Sequence, residues 1–209
     1  MANEILDIFD SNYNHIGTAD RNSVHEQGLW HQTFHCWIVQ PNGKILFQLR
    51  GKDKSSSPNK LDISAAGHLE VGETPFDGVR EVEEEVGLVV KFDDLVNLGI
   101  KKSFSERIDK NYINKEFCHT YLYKSNMEVS EYIMQKDEVA GLFEADIKDC
   151  FKLFAKEVDS IVLNGFDVDR NNISKNVSIN NFVDHGSTYF IKILIMVERL
   201  LEGKKYLAI

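Results

Sequence analysis

Hydrophobic and polar positions along this chain follow two periods, and the switches between them outline the fold. ILDIF and HIGTA, separated by SNYN, read as two short N-terminal strands joined in a hairpin. FHCWIVQ and KILFQLRG are apolar runs rich in aromatic and β-branched residues. The Pro41-Asn42-Gly43 between them signals a hairpin, because Asn-Gly accepts the left-handed backbone of a tight turn. KDKSSSPNK is polar and predicts a surface loop. LDISAAG is a short buried strand ending in small residues. LVNLGIKKSFSER and INKEFCHTYLYK are further strands; in the second, Phe117, His119, Tyr121 and Tyr123 alternate with Cys118, Thr120 and Leu122. AGLFEA is one more short strand.

Three segments carry helical signals. Residues 75–86 are bounded by Thr74 as an N-cap, Pro75 at the first helical position and Gly87 as a C-cap. DIKDCFKLFAKEV predicts a second helix, and residues 187–201 a C-terminal one. Between these two, NGFDVDRNNISKNVSIN is polar and reads as an irregular loop laid over the surface. Strands interleaved with two or three helices predict an α/β domain whose helices cover a sheet. The division expected is a main domain over 1–150 and a helical extension over 151–209 packed on it.

Composition narrows the function classes. With 43% hydrophobic residues, 27% charged residues and 3 prolines in 209 positions, the chain can build a sizeable core. A formal charge of -9 argues against non-specific binding to nucleic acid or to an anionic membrane. Acidic proteins still handle anionic substrates when cations sit between carboxylates and phosphates. Cys36, Cys118 and Cys150 are odd in number and not spaced for zinc, so reduced thiols are expected. The N-terminus lacks a basic stretch followed by an apolar run. YFIKILIMVERLL is interrupted by Lys192 and Glu198 and is too short to span a bilayer. These features place the protein in the cytoplasm. The C-terminal helix is expected to pack internally or against a second copy in a homodimer.

Residues 67–88 read GHLEVGETPFDGVREVEEEVGL and hold the strongest chemical signal. At 3.6 residues per turn, Glu81, Glu84 and Glu85 share one helix face while Glu83 points elsewhere. Like charges at this spacing cost a few tenths of a kcal/mol per pair, roughly. A divalent cation would offset that repulsion, and three hard oxygen donors beside a glycine loop suit Mg²⁺ or Mn²⁺. The alternative is a solvated acidic helix. Val82 and Val86, four apart, would pack the helix on the sheet.

The run Gly67, five residues, Glu73, then Arg80-Glu81-Val82-x-Glu84-Glu85-x-Gly87-Leu88 strongly resembles the Nudix box. The box pattern is GX5EX7REUXEEXGU, with U aliphatic. One departure stands out. Six residues, TPFDGV, separate Glu73 from Arg80 where the pattern has seven, and this shortening bears on the Glu73–Arg80 bridge that braces the loop in the family. Over residues 5–144, SVHEQGLWHQTFHCWIV, KILFQLRGKDKSSSPNKLDISAAGH, INKEF and KDEV are similar to the Nudix branch of type I isopentenyl-diphosphate isomerases and their hydrolase relatives. The resemblance implies an α/β/α sandwich with a mixed central sheet plus a helical C-terminal extension.

The resemblance also implies chemistry: a divalent-metal-dependent pyrophosphohydrolase acting on a nucleoside diphosphate derivative or similar small diphosphate. Its metal ligands would be Glu81, Glu84, Glu85 and the Gly67 carbonyl. Glu84 or Glu81 would be the general base, with Arg80 beside them and Glu116 and Glu138 as further candidates. Arg50 and Lys54 match diphosphate-binding positions, and cations there suit charge-assisted phosphate contacts. His25, His31 and His68 align with metal-binding histidines of the isomerases. His68 is a candidate ligand, whereas His25 and His31 are expected to be structural or substrate-lining. Trp30, Trp37 and Phe34 could stack on a nucleobase or belong to the core. An isomerase is the first alternative. It needs a cysteine before Gly-His, and Ala66 stands there, although Glu116 matches the isomerase glutamate. A non-catalytic nucleotide-sensing module is the second.

Overall fold

The computed structural model describes residues 4–54, 56–186 and 188–209. Met1, Ala2 and Asn3, where the leader reading begins, lie outside the described residues, as does Ser187, the expected first residue of the C-terminal helix. Eleven strands and four α-helices are described: β1 (Ile5–Phe9), β2 (His15–Asp20), α1 (Arg21–Gln27), β3 (Trp30–Val39), β4 (Lys44–Arg50), β5 (Leu61–Asp62), β6 (Ala65–His68), α2 (Arg80–Val86), β7 (Val96–Arg107), β8 (Tyr112–Lys124), β9 (Val139–Asp146), α3 (Ile147–Phe154), β10 (Ile161–Asp167), β11 (Asn172–Val177) and α4 (Tyr189–Leu201).

Strand order along the main path is β11-β10-β9-β4-β3-β1-β2, with β5 paired to β4, β6 and β8 to β3, and β7 to β8. The sheet is mixed because β3 and β8 run parallel while the other pairs are antiparallel. Alternation along β3 sends its side chains to two cores. Trp37 and Val39 join Phe47, Phe143 and residues of α3 and α4 on one face. Phe34, Cys36 and Ile38 join Val82 and Val86 of α2 on the other. Helices therefore cover both faces, as the resemblance implied.

Several stretches differ from the sequence reading: α1, capped by Asp20, is a helix absent from it, and LDISAAG divides into β5 and β6. Residues 164–180, expected to be an irregular loop, fall largely within the antiparallel hairpin β10–β11, where Gly165 and Val177 are buried while Asn164, Ser174 and Asn176 are exposed. The reason is a period-two pattern hidden by polar outward positions, closed by a turn in which Asp167 accepts from the N–H groups of Asp169 and Asn171. The glutamate helix also begins later than residue 75. A 3-10 turn at Asp77–Val79 precedes it, and the amide and hydroxyl of Thr74 donate to the Asp77 carboxylate at 2.8 Å each. Gly78 lets this tight turn lie on the core, since a Cβ there would come within 2.7 Å of Leu69 and 2.8 Å of Phe34.

Candidate active site

A cavity of about 530 Å³ opens between α2, the middle of the sheet and the loop after β4. Gly67, His68, Arg80, Glu81 and Glu84 line it on one side, and Arg50, Lys54, Glu116 and Glu138 elsewhere. Glu85 does not line it. That side chain is 1% exposed and sits behind the wall, where Oε2 accepts from the Ala66 N–H at 2.8 Å and from Gln48 Nε2 at 2.9 Å.

Arg80 organises the carboxylates. Its Nε and Nη2 donate to the two oxygens of Glu73 at 2.9 and 3.0 Å, and Nη2 also reaches the His68 carbonyl at 3.3 Å. Nη1 donates to Glu81 at 2.6 Å and to Glu84 at 3.0 Å. The Glu73–Arg80 bridge thus forms despite the short box, because the 3-10 turn takes up the missing residue. The hydrogen bonds to Glu73 hold the guanidinium pKa above its already high value. Burial pushes Glu81 up to about 7 against the opposing pull of Arg80, and burial together with Glu81 pushes Glu85 up to about 8. Glu84 is half exposed.

Gly67 is required by space. A Cβ there would overlap the Glu81 carboxyl, so the carboxylate lies directly on the Gly67 backbone. The Glu81 carboxylate, the Glu84 carboxylate at the cavity mouth and the adjacent Gly67 carbonyl are hard oxygen donors of the kind a divalent cation takes, whereas the Glu85 carboxylate is turned away from them toward Ala66 and Gln48.

A second cluster joins elements far apart in sequence. His25 from α1, His31 from β3 and His68 from β6 bring ring nitrogens within 4.8 Å of one another. His25 Nδ1 donates to the Arg21 carbonyl at 2.7 Å, and His31 Nδ1 to the Leu29 carbonyl at 3.0 Å. A carbonyl only accepts, so each Nδ1 carries the proton and each Nε2 is a bare lone pair. Both Nε2 atoms are buried without a hydrogen-bond partner among the described residues. Burial lowers His25 to about 4 and also lowers His31, keeping both neutral. Glu116 Oε1 lies 4.0 Å from His31 Nε2. Neutral imidazoles oriented by backbone carbonyls are what a metal centre uses, so these residues fit a cation too. His25 and His31, expected to be structural or substrate-lining, do not line the cavity; they stand behind His68, the three rings grouped as the resemblance implied.

The cationic wall is internally tied. Arg50 donates to Asp62 at 3.0 Å and to the Ser56 carbonyl at 3.0 and 3.2 Å, and Asp62 is also met by His185 Nε2 at 2.6 Å. Lys54 is paired with Glu138. Glu138 reaches the cavity because the Ile133 and Gln135 amides bond to the end of α2, and the Glu138 carbonyl accepts from the Gly51 N–H at 2.7 Å. Trp37 and Phe34 are fully buried in the core, and Trp30 packs on Phe117 at 4.8 Å; none of the three lines the cavity.

Sequence reading missed Arg21, Asp62, Ser103, Ser105, Arg107 and His185, which all line the cavity. Alternate polar residues along β7 were a legible signal for Ser103, Ser105 and Arg107. Nothing local marked His185.

A mixed sheet with helices on both faces thus carries an acidic helix set against the backbone of Gly67. The model of the NUDIX domain matches residues 29–158, and the chain belongs to the Nudix family of hydrolases. An uncharacterised Nudix hydrolase of Clostridium acetobutylicum is 41% identical over 198 residues, covering 91% of this chain and 95% of that protein. An isopentenyl-diphosphate Delta-isomerase of Cutibacterium acnes is 30% identical over 152 residues, covering 70% of this chain and 75% of that one. Among solved structures, DR0079 of Deinococcus radiodurans is similar with a TM-score of 0.53 at 20% identity, over 73% of this chain and 90% of that one. That likeness concerns the fold alone. Among the described residues, no helix is long and apolar enough to cross a membrane.

Proposed function

We propose that this hydrolase is a divalent-metal-dependent pyrophosphohydrolase that cleaves a diphosphate linkage in a nucleoside diphosphate derivative or similar small substrate. The observation that carries this reading is the Glu81 carboxylate seated on the Gly67 backbone, with Glu84 joined to it through Arg80 at the cavity edge. Glu81, Glu84 and the Gly67 carbonyl would hold the cation, and Glu85 would join them by turning from Ala66 and Gln48 toward the cavity. When bound, Mg²⁺ or Mn²⁺ would neutralise the diphosphate and lower the pKa of an attacking water.

The chain's own groups do the rest. Arg50, Lys54 and Arg21 line the cavity, each paired with a carboxylate (Asp62, Glu138 and Glu4), and such cations bind phosphate oxygens through charge-assisted hydrogen bonds when they exchange those partners. Arg80 fixes where Glu81 and Glu84 point. Glu84 or Glu81 takes the proton from water, with Glu116 and Glu138 as further candidates. The test is a panel of diphosphates incubated with Mg²⁺ or Mn²⁺ and scored for released phosphate and diphosphate. Release that stops with a chelator is expected. Nucleotide binding without release from any compound would instead make the protein a sensor.

The histidine cluster beside Glu116 favours a second reading, isopentenyl-diphosphate isomerisation. Ala66 opposes it, since a methyl group has no proton to give to an alkene. Isopentenyl diphosphate incubated with the protein is expected to yield no dimethylallyl isomer.

A further inference from the structure

The sheet face flooring this cavity is polar along its length, from half-buried Ser103 to exposed Ser105 and half-buried Arg107. Strand residues two apart share a face, so Lys101, Ser103, Ser105 and Arg107 of β7 form one row of side chains. In register, Ser103 stands opposite Glu116, Ser105 opposite Asn114 and Arg107 opposite Tyr112. The row continues through Glu116 to His31, and Thr33 lies opposite His68. The apolar side chains lining the cavity are few: Ile63, Ala66 and Val183.

Three classes of ligand group meet this floor differently. A hydrocarbon would bury these polar atoms against CH₂ groups without compensation. A nucleobase needs an open aromatic face. Tyr112 is the aromatic ring of the lining other than histidines, and one of its faces is already stacked on His25 at 4.5 Å. A group bearing hydroxyls both donates and accepts. The Asn114 Oδ1 atom is a buried acceptor with no partner among the described residues, and phosphate oxygens cannot supply its missing donor. Ser103 Oγ accepts from Lys101 Nζ at 3.2 Å, which leaves its own O–H to donate. A mixture of acceptors and donors in one row matches hydroxyls.

We propose that the group seated in this cavity is a hydroxyl-bearing, sugar-type moiety held by Ser103, Ser105 and Asn114, with Arg107 at its outer end. It deepens the hydrolase reading and rests on it only for the diphosphate's position beside α2.

Calorimetry in Mg²⁺ with three monophosphates tests it: ribose 5-phosphate, isopentenyl phosphate and adenosine monophosphate. Ribose 5-phosphate is expected to bind at least about tenfold more tightly than isopentenyl phosphate, as several hydrogen bonds would confer. Ser103→Ala and Asn114→Leu should each weaken ribose 5-phosphate about three- to tenfold, and leave isopentenyl phosphate within about twofold. Ser105→Ala, at an exposed position that cannot disturb the core, provides the same comparison should either of the others fail to fold. Equal or tighter isopentenyl phosphate binding overturns the inference. So do undetectable ribose 5-phosphate binding, unchanged affinity in the variants, or adenosine monophosphate binding more than about tenfold tighter than ribose 5-phosphate. Hydrolysis measured in parallel separates the two readings. The expected binding pattern with no diphosphate cleaved sinks the hydrolase reading alone, whereas preferred cleavage of isopentenyl diphosphate sinks the sugar-type group alone.

Discussion

Gly67→Ala is the smallest change that tests the site. The added methyl would overlap the Glu81 carboxyl, while β6 at that point is pinned by pairing with Phe34 of β3. Backbone cannot yield easily, so the carboxylate must move. Overpacking of this kind costs about 1–3 kcal/mol, and in a chain of this size each kcal/mol lowers Tm by about 2–4 °C. Turnover should suffer more, because a misplacement of about 1 Å in a catalytic group can cost about 100-fold. Urea unfolding without metal reads the first effect, and phosphate release with Mg²⁺ the second. Glu81→Asp shortens the side chain by one CH₂ and should relieve the clash. In the double variant the two destabilisations should therefore fall short of their sum by about 1 kcal/mol. Additive free energies, together with Gly67→Ala turnover close to wild type, would refute the placement of Glu81 on this backbone.

Three further outcomes are expected. Glu84→Gln and Glu85→Gln should each lower turnover by orders of magnitude with an unchanged circular dichroism spectrum, since each removes a proposed metal ligand; activity equal to wild type in both would be decisive against that role. Arg80→Lys replaces a planar fork by a point charge that cannot hold Glu73 through two bonds while reaching Glu81 and Glu84. Tm should fall only about 2–4 °C because the group is a third exposed, whereas kcat should fall at least about tenfold; a proportionate loss of neither is the contrary result. Burial alone would raise Asp62, but His185, Arg50 and the Ile63 N–H outweigh it and hold the carboxyl below the usual range. Its folded pKa is depressed, so its stabilisation is present above the unfolded value of about 3.9 and is lost as pH falls below it. Asp62→Asn should therefore cost about 3 kcal/mol near pH 7, with the gap to wild type narrowing from about pH 5 downward. A gap that does not change with pH contradicts the assignment.

Much of the site was legible in the chain itself. The run from Gly67 to Leu88 carries its own spacing, and a helix places Glu81 and Glu84 together whatever surrounds it. The strands from Trp30 to Val39 and from Lys44 to Arg50 and their Asn-Gly turn were readable for the same local reason. Where sequence reading fell short, the deciding contacts span the chain. The hairpin from Ile161 to Val177 needed the neighbouring strand at Gly141–Glu144 to make its faint alternation meaningful. His25, His31 and His68 meet because one helix and two strands converge, and Arg50 is held through Asp62 by His185, 123 positions further on. Local pattern fixes which face a residue takes within its own element. Which residue lies opposite depends on strand order and register, and these are settled when distant segments close over a common core.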